Sequence, residues 1–254
     1  MNMMTLNKGS GRLAQLLIFL VLVLMLAACS DDPLINAVQD KDTALVQRLL
    51  EQGNTVNVYN RAGDSALAIA LREGQLDVVH MLLQHDVDVN ARGVMGVTPL
   101  MLAASAGYVD ITRELLDRGA DVEGRDNSGN SALMIMPVHD KPEIVRLLLE
   151  RGADIEHGNH LGLNSLMVAG YMGHEQIVEL LLAAGVDVNA RMRTGQTALM
   201  RTARQGNNVI VKRLLQAGAD VNVRDNENES ALTLALKQGH LDTAELLRGA
   251  GARQ

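Results

Sequence analysis

Nucleophilic catalysis needs a serine, cysteine or threonine beside a base held in place by a third group, and metal chemistry needs three or four converging ligands. This 254-residue chain has one cysteine, Cys29, and seven histidines: His80, His85, His139, His157, His160, His174 and His240. A single cysteine excludes an internal disulfide and a Cys-rich zinc site. No pair of histidines has the H-E-x-x-H spacing that puts two imidazoles on one helical face. No serine stands in a G-x-S-x-G elbow, and no glycine-rich phosphate loop follows a strand pattern. His139, His157 and His160 come from adjoining segments and are the nearest approach to a ligand set; Asp126 or Asp140 would have to complete it, and the spacing does not demand that. Solvated surface imidazoles account for them more simply. The chain therefore reads as a non-enzyme with no cofactor, no metal and no small-molecule substrate.

Acylation is the chemistry that Cys29 fits. Lys8 and Arg12 precede an unbroken apolar run from Leu16 to Ala28, 13 residues long, which suits a signal-peptide core and is short for a bilayer span. The run ends Leu26-Ala27-Ala28-Cys29-Ser30, which resembles the bacterial lipobox, where the cysteine is lipidated and becomes the mature N-terminus. The resemblance implies a lipoprotein signal peptide over residues 1–28 and a mature chain of residues 29–254, held by acyl chains that contribute about 0.8 kcal/mol per buried CH₂. Palmitate is an expected acyl group, and the mature chain would face the periplasm. By resemblance to lipoprotein sorting, Ser30 favours the outer over the inner membrane.

The chain carries a formal net charge of −7, and removing residues 1–28 takes away two basic residues and no acids. No global basic field attracts nucleic acid. Apolar residues make up 47% of the chain, but aromatic residues only 2%, with no Trp and one Phe. Leu, Val, Ala and Met must fill the core, which suits short helices packed closely.

A 33-residue period organises everything after Cys29. Leu34, Leu67, Leu100, Leu133, Leu166, Leu199 and Leu232 recur without insertion or deletion. Two positions before each stand Asp32, Ser65, Thr98, Ser131, Asn164, Thr197 and Ser230, all helix N-cap types. Fifteen residues after the first six leucines come Leu-Leu pairs, from Leu49-Leu50 to Leu214-Leu215. Beyond them the units stop at Gly53, Asp86, Gly119, Gly152, Gly185, Gly218 and Gly251, where a helix end calls for a left-handed residue. Each unit reads as cap, short helix, turn, second helix, stop, then a V-D-V-N-like extension into a tight turn.

The segment from Thr98 to Glu123, TPLMLAASAGYVDITRELLDRGADVE, resembles the ankyrin repeat. The resemblance runs from Asp31 to about Gly251 and implies an all-α solenoid of seven 33-residue helix-turn-helix repeats with projecting β-turn fingers. Where the family has the His of T-P-L-H, this chain has Ile35, Ala68, Met101, Met134, Met167, Met200 and Thr233; the methionines read as adaptable core filling. The first unit lacks a full finger and the last replaces the second Leu of its pair with Arg248, so both ends read as polar caps. Unit four is irregular: Pro142 suits the first turn of a second helix, but Pro137 falls inside the first, which should end early or kink.

The family resemblance also implies a binding face made of finger tips and the exposed side of the first helices. Its slots are apolar mainly in units three to five, and the expected partner contact is Val94, Met95, Val97, His139, His160, Leu161, Leu163, Tyr171 and Met172. Arg92, Arg125, Arg191 and Arg224 recur at one slot and read as filler laid along neighbouring fingers. The expected function is a membrane-anchored, periplasmic, protein-binding scaffold. Two specific roles stay open: an immunity or inhibitor lipoprotein against a periplasm-targeted toxin or hydrolase, and an accessory of a periplasmic stress-defence enzyme.

Overall fold

The structure is a computed structural model and describes residues 32–135 and 140–253. Cys29, the signal segment, Pro137 and His139 lie outside the described residues.

The period appears as stacked helix pairs. In chain order they are α1 (Pro33–Gln39) with α2 (Thr43–Glu51), α3 (Ala66–Arg72) with α4 (Leu76–Leu83), and α5 (Pro99–Ala106) with α6 (Val109–Asp117). A single 3₁₀ turn, Ala132–Met134, then precedes α7 (Pro142–Glu150). The pairs resume with α8 (Ser165–Met172) and α9 (Glu175–Ala183), α10 (Ala198–Gln205) and α11 (Asn208–Gln216), and α12 (Ala231–Lys237) and α13 (Leu241–Gly249). No described helix exceeds nine residues, and a free helix of that length is marginal in water, so packing between units must hold each one. First helices stack on first helices and second on second, which gives the helical solenoid that the period implies.

All seven phased leucines are at most 2% exposed, and the substituted family-His column, from Ile35 through Met101, Met134, Met167 and Met200, is buried beside them. Truncating one such leucine to alanine costs about 2–5 kcal/mol. The four methionines of this column are thus core residues.

Six of the seven predicted caps accept a hydrogen bond from the first turn, for example Asn164 Oδ1 from the Met167 N–H at 3.0 Å and Ser65 Oγ from the Ala68 N–H at 3.1 Å. Ser131 does not, because in its 3₁₀ turn the Met134 N–H donates to the Ser131 backbone carbonyl instead, at 3.0 Å. The chain is already extended at Ile135 (φ −85°, ψ 92°), so the first helix of unit four ends early, as expected. In a helix continued through position 137, the proline ring would meet the Leu133 carbonyl and no N–H would answer it. Pro142 opens α7.

The stop positions also need one correction. Gly53, Gly119, Gly152, Gly185, Gly218 and Gly251 are left-handed, whereas Asp86 is not; its Cβ makes that conformation costly, and α4 closes through other backbone bonds, such as His85 N–H to Leu82 O at 3.1 Å.

Between units the chain forms fingers. An aspartate opens each turn (Asp88, Asp121, Asp154, Asp187, Asp220) by accepting from the N–H two residues on. The residue two positions after each aspartate, with Asn57 at the same register in the first unit, braces the next unit: Asn57, Asn90, Asn189 and Asn222 each donate to a carbonyl about one unit later and accept an N–H there, as when Asn90 bridges Gly119 O (3.1 Å) and the Asp121 N–H (2.7 Å). Units four and five hold Glu123 and Glu156 at this position, which accept the N–H but have no proton to donate. The finger tips are tied by backbone bonds from Asn127 to Met95, His160 to Ser128, Arg193 to Leu161, and Asn226 to Thr194, all 2.8–3.1 Å.

Candidate protein-binding face

The finger tips and the neighbouring side of the first helices form one surface, because side chains cross between them. Arg72 on α3 reaches back to the finger residue Asp64 with two bonds of 2.6 and 3.0 Å, and Lys237 on α12 reaches Glu229 at 2.5 Å. Asp64 is almost wholly buried. The Arg72 guanidinium beside it, helped by the Val94 N–H at 2.9 Å, holds its carboxyl below the ordinary aspartate range even though burial pushes the other way. Lys237 is held above the usual lysine range by its bond to Glu229.

Five of the predicted contact residues stand out on this surface: Val94 (40% exposed), Met95 (64%), Leu161 (59%), Tyr171 (44%) and Met172 (47%). Water-exposed apolar side chains of this size on a face that also carries polar residues fit the anatomy of an interface. Val97 and Leu163 differ: both are half-buried and pack against the core, so they support the fingers from beneath. Met95 sits at φ +59°, a left-handed backbone that costs a non-glycine residue about 1 kcal/mol, and its carbonyl accepts the Asn127 N–H at 2.8 Å. Finger three has Gly93 where Asn60, Asp126, Asn159 and Asp225 of other fingers accept from their own turns, and Asp64 of the preceding finger accepts the Val94 N–H instead.

The finger histidines brace their neighbours. His157 Nε2 lies 2.7 Å from the Gly129 carbonyl, and the ring of His160 lies so close over Gly129 that a Cβ there would come within 2.8 Å of His160 Cδ2. Gly129 is free to sit beneath them because it has no side chain and adopts φ +82°. His160 is exposed on its outer side, within the predicted face. Among the described residues no group of three or more His, Cys, Asp or Glu converges as metal ligands would. Of the recurrent arginines, Arg191 behaves as the expected filler, donating to the Arg224 carbonyl of the next finger as well as to its own Gly195, whereas Arg224 lies along its own finger and donates to the Asn228 carbonyl.

Some residues of interest escape the sequence reading. Leu76 and Leu241, at the starts of α4 and α13, and Val209 near the start of α11 are exposed on second helices. The more telling omission is Arg201. Its column at the 33-residue spacing is otherwise Asn36 in the first unit and then Ile69, Leu102, Ile135, Val168 and Leu234. A lone cation in an apolar column was the available signal. Arg201 is half-buried, its guanidinium carbon lies 4.7 Å from the centroid of the Tyr171 ring, and its Nε has no hydrogen-bond partner.

No curated protein matches the chain at a significant level. A family model, ankyrin repeats in three copies, matches residues 3–93, 24–126, 92–159, 123–192 and 166–254. With caps, phased leucines and fingers in that same register, the chain belongs to the ankyrin repeat family, a module that binds other proteins.

Proposed function

We propose that the chain is a lipid-anchored, periplasm-facing scaffold that binds another protein through its finger-and-helix face and carries out no chemistry of its own. The observation that carries the binding reading is the exposure of Val94, Met95, Leu161, Tyr171 and Met172 on the surface where fingers and first helices meet. Those positions have no work in the core, which the phased leucines and methionines fill. The anchoring reading rests on sequence: residues 1–28 act as the signal peptide, Cys29 takes the lipid, Ser30 directs the protein to the outer membrane, and residues 29–254 form the mature repeat domain. Multiple acyl chains hold a domain that has no spanning helix of its own.

Two measurements test the parts separately. Metabolic labelling with a fatty-acid probe marks the wild-type chain and not Cys29→Ala, which leaves the membrane fraction; label on Cys29→Ala contradicts the anchor. A photo-reactive amino acid placed at Met95 or Leu161 of the anchored chain captures one discrete envelope protein, while the same group at Leu241 does not. Capture from Leu241 alone would move the working surface to the second helices. Loss of the captured protein's own activity on binding identifies an inhibitor or immunity role, and preserved activity identifies an accessory.

A further inference from the structure

In this scaffold a cation on a first helix is answered from eight residues earlier. Arg72 has Asp64 and Lys237 has Glu229. The same two register positions in unit six hold Arg204 and Gln196, so the cation is kept and its carboxylate is gone. Gln196 is committed elsewhere, its Nε2 donating to Asp225 Oδ2 at 3.2 Å. One helical turn before Arg204, Arg201 takes the apolar column position described above. Its contacts are the Tyr171 face at 4.7 Å and a weak bond from Nη1 to Met192 Sδ at 3.7 Å. Among the described residues neither Arg201 nor Arg204 is paired with a carboxylate.

A guanidinium that has given up part of its hydration without receiving an anion is a costly arrangement within one molecule. Burial, with Arg204 adding to it, pushes Arg201 below the ordinary arginine range; it remains a cation, but one that gains from an incoming negative charge. Against it lies the exposed ring of Tyr171, and the next residue on α8, Met172, is exposed as well. Two cations next to an apolar patch do not make the row of charges that a nucleic-acid backbone needs. They match a single carboxylate flanked by apolar groups, which a guanidinium fork holds with two parallel bonds.

We infer that the corner formed by Tyr171, Arg201 and Arg204 is a carboxylate subsite that takes an aspartate or glutamate side chain of the partner protein, presented between apolar residues that settle on Tyr171 and Met172. This rests on the protein-binding reading of the face and names the chemistry of its ligand.

The test uses the full chain in detergent, labelled at methionine methyls and arginine Nε–H groups, titrated with acetyl-Leu-Glu-Leu-amide and, separately, acetyl-Leu-Gln-Leu-amide. The Glu peptide shifts the Arg201 Nε–H and the Met172 methyl together and saturates in the millimolar range, and the Gln peptide binds about tenfold more weakly or less. Arg201→Gln and the fully surface variant Arg204→Gln each bring the Glu peptide down to the level of the Gln peptide, with helicity unchanged. Equal binding of both peptides, with Met172 still responding, overturns the carboxylate subsite and leaves the binding face standing. Equal strength from a peptide whose only carboxylate is its C-terminus overturns the side-chain assignment. Silence of Met95 and Met172 with every peptide contradicts both the subsite and the face.

Discussion

At the residue scale, ordinary polar chemistry decides how the fingers stand. Asp64 serves two structures at once, clamping Arg72 of its own unit and accepting Val94 of the next. Its carboxyl is held below the unfolded aspartate value, so its contribution to stability is fully present above about pH 4 and is lost as pH falls through the lower folded value. Asp64→Asn should destabilise the chain by about 1–2 kcal/mol at neutral pH, and denaturant unfolding of the two proteins should converge under acid. A difference that persists unchanged at acid pH would place the effect in packing. Glu123 and Glu156 supply the opposite case, because asparagine at either position would regain the donation that Asn90 and Asn189 make to a later carbonyl. Glu123→Asn should raise the unfolding free energy by roughly 0.5–1.5 kcal/mol. The caps were legible as residue types, while Asp64, Glu123 and Arg201 were not. Each matters through a partner some 30 residues away, or through one that is missing, and a period shows alignment without showing which side chains touch.

At the element scale the helices are short copies of one design, and unit four is where the design is interrupted. Among the described residues its first helix is one 3₁₀ turn, its cap is unused and its joints on both sides carry glutamate in place of asparagine. In a stack whose stability sums unit and interface terms, a poor unit lets the halves open independently. Amide exchange should be faster over Ala132–Ile135 than over Leu100–Ala106, and equal protection would show the interruption to be free of cost. Helix placement was readable because caps and leucines recur at one spacing, and the early end of the first helix followed from Pro137 alone. What could not be read was the accommodation. Ser131 has the right side chain for a cap, yet the 3₁₀ hydrogen bond takes the N–H it would have received; Asp86 occupies a glycine slot, yet the backbone there closes another way.

At the scale of the whole molecule, the repeats make a long surface whose apolar content gathers around the interrupted unit, with Val94 and Met95 before it and Leu161, Tyr171 and Met172 after it. The location of that surface followed from the repeat register. Its composition did not, since Val97 and Leu163 turn inward while Met95 and Leu161, two residues earlier, stay in water. Charged residues toward the outer units should tune encounter more than affinity. Arg224→Ala, whose guanidinium lies along its own finger, should therefore change binding several-fold at most. The measurement that bears most directly on the central claim is the affinity of the cross-linked partner for the Tyr171→Ala, Leu161→Ala double variant, with circular dichroism as the check on folding. Loss of the Tyr171 ring and the Leu161 side chain from the middle of the contact should weaken binding by roughly 30-fold or more at unchanged helicity. A folded double variant that binds at full affinity would contradict the assignment and place the working surface on the second helices.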